Sequence, residues 1–504
     1  MNAENNKIAV GSGYKWFVYA SVAAGAFLTV SDQTGTNIAM PRIAEELSAD
    51  IPTVQWVYLI YTLSISSLLL PMGRFSDLVG RKMVYCAGLM VFSIGALVAY
   101  LSGILPILLA AKAFQGLGAA MIQANGMALM AESFPSAERG KALGLYMTVI
   151  GLGATGGPVI GGYLIGAFGW RSLYLAILIF GIISLVLSLK VLRKENVLSN
   201  ERDLSFDWIG ATLSAAALAL FLLGLTYSYR LGWDSFIVII GFLLSVLSLF
   251  CFIWWERRTK NPLVDLSLFS VPVFSLGMAA RYLAFMSGSS AFFLMPFYLI
   301  QVIGLKESEA ALVMAPSSIM MAVTSPLSGR LSDKIGTKWP AVAGLVCWSS
   351  AIAIYTTLSV GSPPWIVVIG MFLQGSGNGI FGSPNTSAVM NVVESNKYGV
   401  VSALLNMVRT SGNLTGIAMG TTLVVFTMAS MNYPPDLSAI ESAGENAYGT
   451  GLKTAFTEGI TRAFWIGTGI VAFAALFTAL RPEKPIRVKK INKTSEVPVI
   501  LWSQ

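Results

Sequence analysis

Two side chains of opposite charge lie where the chain is otherwise apolar. Asp32 falls in the run 16–40 and Lys112 in the run 104–129. Each run is long enough to cross a bilayer, where a mid-membrane charge costs about 2.5–3.5 kcal/mol on insertion scales. A residue retained at that cost has a partner or a task. Asp32 lies eight residues before Met40, and Lys112 eight residues after Ile104. At roughly 1.5 Å per residue both sit about 12 Å below the same surface. Burial favours the neutral form of an acid and a nearby cation favours its charged form, so moving a helix or a ligand between such groups loads or releases one proton. A static ion pair is the plainer alternative.

Two further cations, Arg281 and Arg409, lie in the runs 273–301 and 399–428, and Asp32 is the one acid well inside any run. Polar residues at helical spacing mark the wall of a cavity. Gln33 and Thr36 flank Asp32. Lys112, Gln115 and Gln123 share one face, Gln374 and Asn378 another, and Asn406, Arg409 and Asn413 a third. Tyr282, Phe285, Phe292 and Phe293 follow Arg281. Packing would explain each aromatic, and interhelical hydrogen bonds would explain the stripes. Cys86, Cys251 and Cys347 fall in separate apolar runs, and the chain has no histidine. Neither a disulfide framework nor a metal site is expected, and no cofactor.

The elements that must hold these groups are membrane helices. Of 504 residues, 55% are hydrophobic and only 12% charged, with a mean hydropathy of +0.70. The net charge of +8 resides in short loops rather than on a soluble face, so nucleic acid is not an expected partner. Fourteen spans are expected: 16–40, 53–72, 83–103, 104–129, 142–166, 170–190, 208–228, 235–255, 273–301, 309–329, 338–358, 363–390, 399–428 and 460–480. Placing the N-terminus inside puts 24 of the 33 Lys and Arg on the cytoplasmic side, so both termini are expected there, in a multi-pass protein of the cell membrane. The first run is long, holds Asp32 and lacks a cleavage site, so it is expected to remain as a span.

The chain repeats itself. Gly73–Lys82 reads GRFSDLVGRK and 329–338 reads GRLSDKIGTK, 256 positions later. Gln115-Gly116-Leu117-Gly118 returns as Gln374-Gly375-Ser376-Gly377 at an offset of 259. Two related six-helix halves follow, at 15–191 and 257–480. Between them lies a linker with an inserted pair of helices, 192–256, in which Asp207 is a plausible helix cap. Residues 1–14 form a cytoplasmic N-terminus, 431–458 an outer loop and 481–504 a basic cytoplasmic tail. Both copies of the first motif are expected in short basic loops, their glycines allowing a tight turn.

These motifs resemble the major facilitator superfamily, and within it the fourteen-helix drug:proton antiporters, over residues 15–480. The implied fold is all-α, a polytopic membrane protein with fourteen transmembrane helices in a 6 + 2 + 6 order. The resemblance implies that Asp77, with Gly73 and Arg81, meets the start of the thirteenth helix near Tyr398–Val401 and latches an outward-open state. Gly329 and Asp333 should do the same at the start of the fifth. Gly153, Gly157, Pro158, Gly161 and Gly162 match the antiporter signature G-x-x-x-G-P-x-x-G-G, which the family uses in exporters. The stretch around Asp32 is similar to a first-helix motif whose acid serves in proton or cation coupling. Lys112 departs from the usual arginine, replacing a rigid bidentate group with a point charge.

The function expected from these residues is proton-coupled efflux of small amphipathic or drug-like molecules by alternating access. The implied partners are a small-molecule substrate, protons and the lipid bilayer, with the chain a monomer; nothing in the sequence supports a periplasmic adaptor. One acid against three intramembrane cations favours, as an alternative, transport of a specific and anionic endogenous metabolite. A membrane sensor or intramembrane enzyme is the third class. It is disfavoured because the chain lacks histidine, a P-loop, G-x-S-x-G or paired acids in a span.

Overall fold

Apolar runs of this length must satisfy their backbone groups internally, and each becomes a helix. The computed structural model describes residues 13–49, 51–135, 138–193, 206–434 and 447–481. Among them are fourteen long helices and no strand. The first half comprises α1 (Tyr14–Glu46), α2 (Ile51–Val79), α3 (Arg81–Leu101), α4 (Leu105–Ser133), α5 (Arg139–Phe168) and α6 (Arg171–Val191). The inserted pair is α7 (Trp208–Leu231) and α8 (Phe236–Glu256). The second half comprises α9 (Pro272–Phe297), α10 (Glu307–Ile335), α11 (Lys338–Tyr355), α12 (Trp365–Asn391), α13 (Tyr398–Ser430) and α14 (Ala447–Leu480). Twelve of these are long and apolar enough to cross a membrane by composition alone; α1 and α11 are not among them. α1 carries Ser31-Asp32-Gln33-Thr34 at mid-length and packs on α2, α4, α5 and α6.

The duplicated motif is helical, not a loop. Gly73–Val79 is the last part of α2, and the chain turns only at Gly80, whose φ of 111° lies in the region that favours glycine. The second copy behaves alike, with α10 running to Ile335 and the turn at Gly336, φ 96°. Gly73 and Gly329 serve packing instead. A Cβ on Gly73 would lie 2.8 Å from the Gly399 carbonyl oxygen, and one on Gly329 would lie 2.1 Å from that of Gly140.

Two further boundaries differ. α14 begins at Ala447, so residues 447–458 of the expected outer loop are helical; 435–446 lie outside the described residues, as do 1–12, 194–205 and 482–504. Cys86 is buried, whereas Cys251 and Cys347 are half-buried, and all three are free thiols. Asp207 does cap α7, accepting from Gly210 N at 2.9 Å, and it also accepts from Trp255 Nε1 at 2.9 Å.

Without a hydrophobic drive between helices in lipid, close backbone approach decides who packs on whom. α5 shows this best. Its first part faces α10 through Gly140, Gly144 and Gly151, and its later part faces α1 through Gly153, Gly157 and Gly161. α13 does likewise: Gly399, Ala403 and Asn406 face α2 and α4, then Gly412, Gly416 and Gly420 face α9. Each of the two helices therefore changes partner near its middle, and the halves are joined where the early portions meet.

Candidate transport site

At the joined end two carboxylates cap helix starts across the halves. Asp77 accepts from Gly399 N and Val400 N, both at 2.9 Å. Asp333 accepts from Gly140 N at 2.9 Å and Lys141 N at 3.0 Å. A helix N-terminus presents unpaired N–H groups and partial positive charge, so an anion is held there by charge-assisted bonds. Arg81 binds Asp77 at 2.9 Å and Glu132 at 2.8 Å, and donates to the Ser395 carbonyl. Ser383 donates to Gly140 O at 2.7 Å, Thr148 to Ala322 O at 2.8 Å, and Asn406 to Gln123 O at 3.0 Å. This end also holds the start of α1, where Lys15 reaches Glu138 at 2.6 Å.

The Asp32–Lys112 pair is formed, and it is sealed. Lys112 Nζ donates to Oδ1 and Oδ2 of Asp32 at 3.0 and 2.8 Å, and both side chains are 0% exposed. Thr36 Oγ1 (3.3 Å) and Gln115 Oε1 (2.9 Å) complete the acceptors around the amine. The rings of Tyr61 and Tyr174 stand 4.4 and 5.3 Å from it. All of these groups come from α1, α2, α4 and α6. The pair is therefore interior to the first half and does not open into the space between halves, contrary to the expected cavity position. Thr36 and Gln115, expected to line the substrate cavity, belong to this cluster instead.

The signature glycines hold α1 in place behind the pair. A Cβ on Gly157 would lie 2.6 Å from Ser31 O, and one on Gly161 3.3 Å from the Gly35 Cα. Ser31 and Thr34 donate to Gly153 O at 3.3 and 3.4 Å. Pro158 lies within α5. At Gly162, in contrast, nothing lies within 4 Å of the place its Cβ would take.

The remaining candidates divide. Gln374, expected on the cavity, is committed inside the second half, donating to Gly288 O at 3.0 Å and accepting from Tyr355 Oη at 3.1 Å. Tyr282 donates to Thr415 at 2.9 Å, and Phe285 packs edge-on against Trp348. Phe292 is exposed. Gln33 reaches Tyr58 and Thr62 at 3.4 and 3.3 Å. Gln123 and Asn406 meet across the halves, and Asn378 and Asn413 are half-buried.

Arg281 is 0% exposed; its Nε donates to Leu405 O at 2.9 Å and Nη1 to Thr386 at 3.2 Å, and its guanidinium lies 5.3 Å from the Phe285 ring. Its Nη2 has no partner, and neither does the buried Nε of Arg409. Arg281 reaches α13 at Leu405 O, one turn before Arg409. Leaving a buried charged donor unpaired costs about 1–3 kcal/mol or more. Tyr61, Tyr174 and Tyr146 carried no signal in the sequence beyond their presence in apolar runs, and Glu132 lies just past the end of one. Their roles depend on which way each helix faces.

Two related bundles of six membrane helices, latched at one end around a buried charge, define a polytopic transporter. The sequence profile of the Major Facilitator Superfamily matches residues 22–417, and the chain belongs to that family. It is 32% identical over 400 residues to the riboflavin transporter RibZ of Clostridioides difficile (strain 630), spanning 78% of this chain and 85% of that one. It is 29% identical over 409 residues to the multidrug resistance protein Stp of Mycobacterium tuberculosis, spanning 81% and 75%. Among solved structures it superposes on the proton:xylose symporter XylE with a TM-score of 0.63 at 14% identity, over 94% of this chain and 96% of that one.

Proposed function

We propose that this protein exports small amphipathic molecules by alternating access, driven by protons that Asp32 carries. The observation behind this is the sealed Asp32–Lys112 pair on α1 and α4. Protonating the carboxyl removes the charge that holds the ammonium, so the pair loosens when a proton arrives and re-forms when it leaves. α5 links this event to the halves, because its early glycines pack on α10 and its later ones on α1. Rocking α10 against α5 therefore shifts α1 relative to α4. With the termini in the cytoplasm of a cell-membrane protein, the latched end is the cytoplasmic end and the described state is closed there. Multidrug resistance and riboflavin transport among the relatives support a small-molecule cargo.

The test is transport in proteoliposomes with an imposed pH gradient, screening aromatic and amphipathic solutes. Asp32→Asn should reduce gradient-driven movement to background while binding persists. Undiminished gradient-driven transport by that variant removes Asp32 from the coupling role. Transport of an anionic metabolite is a second reading, favoured by the unpaired donors of Arg281 and Arg409.

A further inference from the structure

The positive charge buried in the second half has no acid to meet it among the described residues. In the first half, Lys112 is neutralised by Asp32. In the second, Arg281 and Arg409 make no ion pair among the described residues, and each keeps a buried N–H that donates to nothing. Arg281 is held stiffly by the Leu405 carbonyl and Thr386, so its free Nη2 is a fixed donor. Arg409, partly exposed, makes no hydrogen bond among the described residues, and its Nε is buried. It sits on α13 between Asn406, which reaches α4, and Gly412, which packs on α9. That is where α13 changes partner, and hence where the two halves begin to part. Two guanidinium groups with unused donors at such a point have the chemistry to hold an anion.

We propose that Arg281 and Arg409 form an oxyanion subsite that joins the substrate path when the halves part, and that the transported molecule carries a carboxylate or phosphate on an apolar body. The subsite rests on the transport reading only in taking the layer between the halves as the path of the cargo. It does not depend on proton coupling. Phe285, whose ring centre lies 5.3 Å from the Arg281 guanidinium, supplies a ring surface against which such a body packs.

The test uses the full chain in nanodiscs of zwitterionic lipid, without a gradient, so that its failure is separate from a failure of coupling. The probes are the carboxylate, amide and methylammonium derivatives of naphthalene and of pyrene, read by calorimetry. The carboxylates should bind at least about tenfold more tightly than the matched amides, equivalent to about 1.4 kcal/mol. The methylammonium compounds should bind most weakly. Arg409→Gln and Arg281→Gln should each erase the preference, and Arg409→Lys should keep part of it. If Arg281→Gln fails to fold, Arg409→Gln still decides, since that side chain gives up no hydrogen bond. An amide or ammonium that matches the carboxylate, no binding by either carboxylate, or a preference that survives Arg409→Gln overturns the proposal.

Discussion

In the first half, Gly118 brings α4 against α3: a Cβ there would lie 2.5 Å from Phe92 N and 2.7 Å from Gly88 O. In the second, Gly377 brings α12 against α11, with Trp348 N at 2.6 Å and Gly344 O at 2.8 Å. Phe92 and Trp348, and Gly88 and Gly344, are 256 positions apart, so the same contact is built twice. The chemistry beside it is not. Three residues before Gln115 stands Lys112, bound to Asp32; three residues before Gln374 stands Met371. Gln115 serves an ammonium, whereas Gln374 ties a tyrosine hydroxyl to a backbone carbonyl. Packing is set by small residues that tolerate no side chain, and it has persisted through the duplication. Charge is set by single positions, and the halves have divided it: a neutralised pair in one, unneutralised arginines in the other.

The latches show a milder version of the same divergence. Asp77 and Asp333 each hold two backbone N–H groups, but Asp77 is also bound by Arg81. The matching position in the second motif is Thr337, whose hydroxyl accepts from Arg481 at 2.9 Å.

The sharpest break in the comparison is Asp32→Asn against Gln374→Leu. Removing the carboxyl strands a buried ammonium, which costs about 3–5 kcal/mol. Gradient-driven transport should fall to background, and Asp32→Asn with Lys112→Met should recover stability without transport. Gln374→Leu breaks only neutral bonds, so it should cost about 1–3 kcal/mol in denaturation and leave coupling in place. Equal loss of coupling from both would erase the division of labour.

Next in size are the helix contacts of α5 and α13. A Cβ on Gly157 would meet Thr34 Oγ1 at 2.1 Å, and one on Gly416 would meet Met286 O at 1.8 Å. Gly157→Val and Gly416→Val should each lower stability by about 1–3 kcal/mol through overpacking. Thermal unfolding in detergent measures both, and a neutral result at either position removes that contact from the scaffold.

Asp77→Asn and Asp333→Asn test the latches. Each should weaken closure by about 1–2 kcal/mol, seen as longer spin-label distances between α2 and α13 or between α5 and α10. Asp77→Asn should open the latch further, because it also weakens the ion pair with Arg81.

The smallest effect belongs to Asp265, which meets Lys397 at 2.7 Å beside the Asp77 latch and is 36% exposed. Lys397 and Ser267 hold its carboxyl down to about 2. Its contribution is therefore complete above the ordinary aspartate range and lost only as pH falls toward 2. Asp265→Asn should change stability by about 0–1 kcal/mol, and closure at the latch should be flat from pH 5 to 8.

Fourteen helices were legible because apolar length is written residue by residue, even for α1 and α11, which a stricter length-and-composition criterion misses. That Asp32 and Lys112 sit at matching levels was legible for the same reason, since rise per residue is fixed, and the two side chains meet. What the chain does not spell out is rotation about each helix axis. Polar spacing puts Gln115, Thr36 and Gln374 on stripes, but facing decides whether a stripe meets a cavity or a neighbour, and theirs meet neighbours. Gly73 misled in another way. A glycine beside Arg and Asp suggests a turn, yet it is the close approach of α13 that requires it.

The inserted pair adds a mechanical consequence. α7 rests on α2 of one half and α13 of the other, and the α7–α8 turn is pinned by Trp233 Nε1 to Thr422 at 2.9 Å. When the bundles tilt, α7 must glide along at least one of them. The wall it turns toward α2 is made largely of Ala211, Ala215, Ala216 and Ala219, side chains too short to interlock. Such a surface behaves as a bearing: it keeps the moving parts aligned while offering little to catch on.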